Sequence, residues 1–220
     1  MVPSADLAGT GRGGLDPWRG DLWRLRESGL VRTVPHLIGR ERTTLVTLTE
    51  RGRELLEQNR SPVEGRHRQA FYAEVVKPRE LVHDAHLYRA YLRAADKIHC
   101  GGGDVKRVVL DYELKSEYQR FLRDLNRERR RGERDAEAAV QAVAEWARAN
   151  DLPVDDGHVQ FPDVRIEYER SDGRRDIEDV EVITPHYRGA MAAAKARSGF
   201  TCYRISSGVG GRGGGGGRRS

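Results

Sequence analysis

The chain has 220 residues, a formal net charge of +5, 33% charged residues and 37% hydrophobic residues. This length allows one sizeable domain or two small ones with a real core, and the basic excess favours nucleic acid as a partner. We expect a reduced, cytoplasmic protein without membrane contact, because Cys100 and Cys202 lack metal-ligand spacing, no apolar run approaches the roughly 20 residues of a membrane span, and the start lacks the apolar centre of a signal peptide.

A helix, a hairpin and a second helix are predicted within residues 15–60, after a Gly-rich start at residues 1–14 that is expected to be disordered. Asp16 followed by proline is typical of a helix start. A short strand, a tip at residues 39–42 and a returning strand come next. Thr49 is predicted to cap the helix that follows.

Arginines occupy the polar positions of this segment. On a helix that enters the major groove they would contact bases or phosphates, and on a hairpin tip they would contact the phosphate backbone. Arginines on an amphipathic helix or a turn are also typical of a surface that is merely solvated. The candidate DNA contacts are Arg19, Arg24, Arg26, Arg32, Arg40 and Arg42.

Residues 22–56 resemble the second half of a MarR-type winged helix. The resemblance rests on a helix, a Gly-Leu-Val strand start at Gly29, an arginine-bearing tip, and a Leu-Thr-x-x-Gly helix start at Leu48, in that order. It implies a recognition helix, a wing and a trailing helix on double-stranded DNA. Because only 15 residues precede Asp16, either the chain starts late relative to such proteins, or Trp18 and Trp23 need another packing partner, such as the second subunit of a homodimer.

A second domain is predicted over residues 69–206, after a linker at residues 61–68. Its first element is expected to be a strand at residues 69–76. Residues 207–220 are almost entirely glycine and arginine and are expected to form a disordered tail.

The predicted second domain continues with a helix, a strand at residues 105–114 and a charged helical insertion at residues 115–150. His83 and His86 are either metal ligands or polar residues of a helix start. Glu113, on the predicted strand, is a secondary candidate for a metal ligand.

Three acidic residues are predicted to meet at the end of a hairpin. Apolar and charged residues alternate over residues 164–169, and Gly173 in an Asp-Gly pair predicts the turn. Asp179 and Glu181 project from one face of the second strand, and Asp163 begins the first. Mg²⁺ binds one or two carboxylates together with water and phosphate oxygens, although acidic residues on a wet face are otherwise merely solvated.

The segment from Pro162 to Tyr203 resembles the PD-(D/E)xK nuclease-like core, whose order is helix, three strands, helix, strand. With the winged-helix portion, the chain is similar to bacterial replication-relaxation-type proteins, which implies a DNA-binding regulator or a maintenance factor of plasmids and mobile elements. The fold class expected is therefore α+β: a partial winged helix followed by a nuclease-like αβββαβ core with a charged helical insertion.

The lysine of the nuclease motif leaves alternatives open. With Glu181 as the acidic residue, Ile183 occupies the lysine position; with Asp179 as the acidic residue, Glu181 occupies it. Lys195, on a helix predicted to follow, is the third option, as a migrated lysine. The alternatives are a DNA-binding protein with a structural nuclease-like domain, a Mg²⁺-dependent DNA endonuclease that uses Asp163, Glu181 and Lys195, and a dimerising protein that does not bind DNA.

Overall fold

The computed structural model describes residues 2–4, 6–7, 20–38, 41–59, 68–74, 80–132, 135–183, 193, 195 and 197–204. These residues form a mixed α+β fold with five helices and three sheets, as expected. Each helix within them is too short or too polar to cross a membrane. Of the sequence-predicted features, Asp16, Trp18, most of the linker and the Gly/Arg tail lie outside the described residues.

The amino-terminal module contains two helices and a three-stranded antiparallel sheet of order β1-β3-β2. The hairpin and the helices on either side of it were predicted and are confirmed. The elements are β1 (Val2–Pro3), α1 (Gly20–Glu27), β2 (Val31–Ile38), β3 (Glu41–Leu48) and α2 (Glu50–Gln58).

The expectation that residues 1–14 lack structure is wrong for Val2 and Pro3. Val2 pairs with Val46 of β3, and the Pro3 side chain is fully buried. The expectation rested on glycines further along the segment, whereas Val2 and Pro3 pair with the edge of β3 as a short third strand.

Thr49 caps α2 as predicted, because its hydroxyl oxygen accepts a hydrogen bond from the Gly52 backbone N–H at 3.1 Å. The same hydroxyl donates to the carbonyl oxygen of Gly29 at 2.6 Å. Gly29, two residues after the end of α1, has a φ of +68°, a conformation that glycine adopts without strain. This one threonine therefore ties the start of α2 to the end of α1.

The carboxy-terminal module is built on a four-stranded sheet of order β4-β7-β8-β9, with the first three strands antiparallel and β9 parallel to β8. A separate two-stranded sheet joins β5 and β6. The elements are α3 (Leu81–Cys100), β4 (Asp104–Leu110), α4 (Asp111–Arg130), α5 (Ala136–Ala149), β5 (Val154–Asp155), β6 (His158–Val159), β7 (Val164–Glu169), β8 (Arg175–Ile183) and β9 (Thr201–Arg204).

Helices cover both faces of the four-stranded sheet. On one face α3 packs its small residues, such as Ala90 and Ala94, against Ile166 and Val180. On the other face, Val109 of β4 packs against Leu114 of α4 and against α5. The alternation of apolar side chains along each strand supplies both contacts, because successive residues point to opposite faces.

Two predicted strands differ from the structure. The strand predicted at residues 69–76 is reduced, over its described residues, to one bridge between Ala73 and Leu48 of β3. The strand predicted to reach residue 114 ends at Leu110, where α4 begins, so the helical insertion starts four residues earlier than expected. The reason is Glu113, whose carboxylate accepts a hydrogen bond from the Leu110 backbone N–H at 3.1 Å and so closes the first turn of a helix.

The two modules contact each other through the first half of α3. Leu45 of β3 is fully buried against Leu81 and Ala85. At the rim of this contact, Arg89 Nε donates to Asp6 Oδ2 at 2.6 Å. The amino-terminal sheet therefore lies beside the end of α3 that carries His83.

Candidate active site

The candidate site lies at the end of the four-stranded sheet where β7 begins. Val164 pairs with Val180, so the antiparallel register places Asp163 opposite Glu181. Beyond β8, the backbone is helical at Ala193, Lys195 and Arg197. Arg197 anchors this segment, because its guanidinium forms two hydrogen bonds to the Asp155 carboxylate at 3.1 and 2.7 Å.

Lys195 forms an ion pair with Glu181 inside the protein. Its Nζ lies 3.0 Å from Glu181 Oε2, and the exposed fractions of the two side chains are 14% and 0%. The same Nζ donates to the carbonyl oxygen of Phe161 and lies 5.4 Å from the centre of the Phe200 ring. A buried carboxylate requires a partner of this kind, since burial without one costs several kcal/mol.

Asp163 is held by the neighbouring strand and by α3. Its Oδ2 accepts a hydrogen bond from the Val182 backbone N–H at 2.8 Å and lies 3.5 Å from His83 Nε2. Burial favours the neutral acid, but the hydrogen bonds from His83 and Val182 and the charges of His83 and Lys195 outweigh it, so the pKa of Asp163 lies below its ordinary value. The hydrogen bond to Asp163 in turn raises the pKa of His83, although burial opposes it.

Asp179, although it shares a strand face with Glu181, is part of a structural ion pair. Arg165 donates from Nε to Oδ1 at 2.8 Å and from Nη2 to Oδ2 at 2.9 Å. Arg165 is 4% exposed and also donates to the carbonyl oxygens of Asn150 and Asp151 at the end of α5. The pair therefore joins α5 to the sheet.

Glu113, the secondary metal candidate, is also engaged in local structure. One carboxylate oxygen caps α4, and the other lies 3.4 Å from Arg107 Nη2. Ile183 lies two residues beyond Glu181 on β8, whereas the cation in contact with Glu181 is Lys195. Of the three residues considered for the lysine of the motif, Lys195 is therefore the one whose side chain supplies a cation in contact with Glu181.

The site offers two carboxylates, from Asp163 and Glu181, beside the cation of Lys195. Among the described residues, no group of three or more His, Cys, Asp or Glu side chains is arranged to hold a metal ion. Two carboxylates are nevertheless what Mg²⁺ takes from a protein when water and phosphate oxygens complete its coordination. The lysine would supply positive charge for a phosphate bound between them.

The described arginine candidates for DNA contact are spread over α1, β2 and β3. The Arg24 side chain is 76% exposed, and Arg32 and Arg42 are also exposed. Arg26 is half-buried and pairs with the adjacent Glu27 at 3.1 Å. The remaining two candidates, Arg19 and Arg40, lie outside the described residues.

The role of Arg165 was not predicted from the sequence, in which it is one of the charged residues that alternate with apolar ones along the strand. An arginine between two apolar strand residues, with acidic residues on the next strand, indicates such a pair, but the partner depends on the register of the two strands. Comparison of this chain with protein-family models, with curated proteins and with solved structures finds no match.

Proposed function

We propose that this chain is a Mg²⁺-dependent DNA phosphodiesterase that uses Asp163, Glu181 and Lys195. The observation that carries the proposal is the convergence of these three side chains at one end of the four-stranded sheet. Asp163 directly precedes β7, Glu181 lies in β8, and Lys195 lies in the segment after β8. The Glu181–Lys195 ion pair is buried although burial of charges costs free energy. Such a constellation supports phosphoryl transfer.

Asp163 and Glu181 would hold the metal ion. The donor set fits, because both groups are carboxylates and Mg²⁺ prefers hard oxygen ligands of this kind. When bound, Mg²⁺ lowers the pKa of attacking water and neutralises charge on the phosphate. At neutral pH an aspartate is ionised at its ordinary pKa, and the pKa of Asp163 is lowered further, so this carboxylate carries its negative charge there.

Lys195 would stabilise the negative charge that develops on the phosphate oxygens. Its ammonium group is largely shielded from water, and electrostatic stabilisation is stronger in such an environment than in bulk solvent. His83 would act on Asp163, because its ring holds one carboxylate oxygen from the side of α3. The carbonyl oxygen of Phe161 and the ring of Phe200 lie against the Lys195 ammonium group and help to shield it from water.

The test is cleavage of supercoiled and linear duplex DNA by the purified chain with Mg²⁺ or Mn²⁺. We expect cutting by the wild type and a loss of about 100-fold or more in Asp163→Asn and in Lys195→Met. Glu167→Gln is the matched control, because it removes a carboxylate from β7 away from the site. A folded wild type that does not cut with either metal would contradict the proposal, as would cutting by Asp163→Asn at the wild-type rate.

A second proposed function, DNA binding by the amino-terminal module, is favoured by the topology of its sheet. The order β1-β3-β2, with α1 between β1 and β2 and with α2 after the hairpin, is compatible with the winged-helix resemblance. Arg24 and Arg42 are exposed on the helix and the hairpin of that arrangement. In winged helices of this kind these two elements contact the groove and the backbone.

Binding and cutting can be separated by their variants. We expect Arg24→Gln/Arg42→Gln to weaken duplex binding in EDTA, whereas Asp163→Asn binds as the wild type does. Arg148→Gln/Arg174→Gln is the matched control, since it removes two exposed arginines from the other module. Duplex affinity that is equal in all four proteins would count against a DNA-binding amino-terminal module, and a concentration-dependent dimer that does not bind DNA would favour a role in protein association.

A further inference from the structure

Four arginines form a continuous stripe along the solvent face of α4. They are spaced by three, four and three residues, so at 3.6 residues per turn they occupy a sector about 80° wide. All four are exposed, whereas Leu114 and Leu125, on the opposite side of the helix, are buried. The members of this arginine stripe are Arg120, Arg123, Arg127 and Arg130.

The positive charge of the arginine stripe is not neutralised by the other residues in its sector of α4. The other residues of α4 in the same sector, Tyr112 and Ser116, are uncharged. Asp124 lies at the edge of the sector and pairs with Arg127 at 3.2 Å, with both side chains well exposed. A surface pair of this kind is worth less than about 1 kcal/mol, so it does not hold Arg127 against a stronger anion.

The helix that carries the stripe begins at the candidate active site. The Asp111 backbone N–H, at the first residue of α4, donates to the carbonyl oxygen of Asp163 at 3.2 Å. With a rise of 1.5 Å per residue, Arg120 and Arg130 lie about 14 and 29 Å along the helix from this point. A nucleic acid that occupies the site and follows α4 would bring successive backbone phosphates to the stripe.

We propose that the arginine stripe of α4 binds the sugar–phosphate backbone of DNA flanking the bond held at Asp163 and Glu181. This inference takes its substrate from the proposed function, but it requires binding and not cleavage. Guanidinium groups form two-pronged hydrogen bonds to phosphate. An anionic membrane surface fits less well, because a helix that lies on a bilayer inserts an apolar face, and the apolar face of α4 packs inside the protein.

The test measures duplex binding by fluorescence anisotropy in EDTA over a range of salt concentrations. Arg120→Gln/Arg123→Gln/Arg130→Gln removes three charges from the stripe and leaves Arg127 in its pair. We expect this variant to bind at least tenfold more weakly and to lower the slope of log affinity against log salt by about 2.7, since each phosphate contact contributes about 0.9. The matched control removes three exposed arginines elsewhere, at Arg148, Arg174 and Arg175.

A variant with lysine in place of Arg120, Arg123 and Arg130 keeps the positive charge and is expected to retain most of the salt slope. It therefore shows whether the glutamine variant binds weakly because phosphate contacts are lost or because the protein is misfolded. The inference is overturned if the glutamine variant keeps the wild-type slope, if the control loses as much, or if the wild type does not bind DNA. It is also overturned if anionic phosphatidylserine vesicles, and not duplex, lose affinity in the glutamine variant. A wild type that binds through the stripe but does not cut supports the inference and contradicts only the proposed function.

Discussion

The ammonium nitrogen of Lys195 lies 3.0 Å from Oε2 of Glu181, whose side chain is completely buried. Removing the lysine would leave the Glu181 carboxylate buried without a partner, which destabilises a protein more than removing both charges of the pair does. We therefore expect Lys195→Met to lower the free energy of unfolding by about 3 kcal/mol, measured by urea denaturation.

Two further variants test the cause of that loss. Glu181→Gln/Lys195→Met removes both charges and is expected to recover much of the stability. Lys97→Met makes the same change at a lysine that is 71% exposed and is expected to alter stability by less than about 0.5 kcal/mol. A loss in Lys195→Met no larger than that in Lys97→Met would contradict the buried pair.

Asp179 is expected to act through Arg165 and not through a metal ion. The substitution Asp179→Asn removes the negative charge that pairs with the buried guanidinium of Arg165. It should therefore lower the free energy of unfolding by about 3 kcal/mol. Calorimetric Mn²⁺ binding below the unfolding transition should match the wild type, whereas Asp163→Asn should reduce it. A reduction of Mn²⁺ affinity in Asp179→Asn as large as that in Asp163→Asn would place Asp179 among the ligands.

The contact between His83 and Asp163 predicts a stability contribution that depends on pH. The folded-state pKa of Asp163 is lowered from about 3.9, so its contribution is present above that value and is lost as pH falls through the lowered pKa. The pKa of His83 is raised from about 6.5, so its contribution is complete below 6.5 and is lost as pH rises through the raised pKa. The pair stabilises most between about pH 4 and pH 6.5.

His83→Gln should therefore destabilise the chain at about pH 5 more than at about pH 9, measured by urea unfolding in EDTA. In a chain that already carries Asp163→Asn, the histidine substitution should have a smaller effect at the lower pH, because the partner charge is gone. Equal destabilisation at both pH values would show that the histidine acts only by packing.

Gly52 allows α2 to approach the backbone of Leu30, the residue before β2. A Cβ at this position would lie 2.0 Å from the carbonyl oxygen of Leu30, so Gly52→Ala must displace the helix and is expected to cost about 2 kcal/mol or more. Gly132→Ala is the control: its φ is +74° and the added Cβ meets nothing within 4 Å, so it should cost only about 1 kcal/mol. Thermal unfolding of both variants measures the difference, and equal losses would contradict the close approach at Gly52.

Local chemistry alone determined much of the secondary structure. The cap at Thr49 and the turn at Gly173 were predictable because a hydroxyl before a helix and an Asp-Gly pair act within a few residues. The boundary between β4 and α4 was not, since Leu110 and Leu114 fit both the alternation of a strand and the four-residue spacing of a helix. The Glu113 side chain, bound to the Leu110 N–H, decides between them.

The sequence by itself nominated Asp163, Asp179, Glu181 and Lys195, because acidic residues around a hairpin and a lysine on a following helix resemble a nuclease motif. Only the tertiary structure distinguished Glu181 from Asp179, two carboxylates on the same strand face. Asp179 lies opposite Arg165 on β7 and is paired with it, whereas Glu181 is paired with a lysine fourteen residues further along the chain. The role of a carboxylate depends on the partner that the fold brings to it, and strand register and helix placement set that partner.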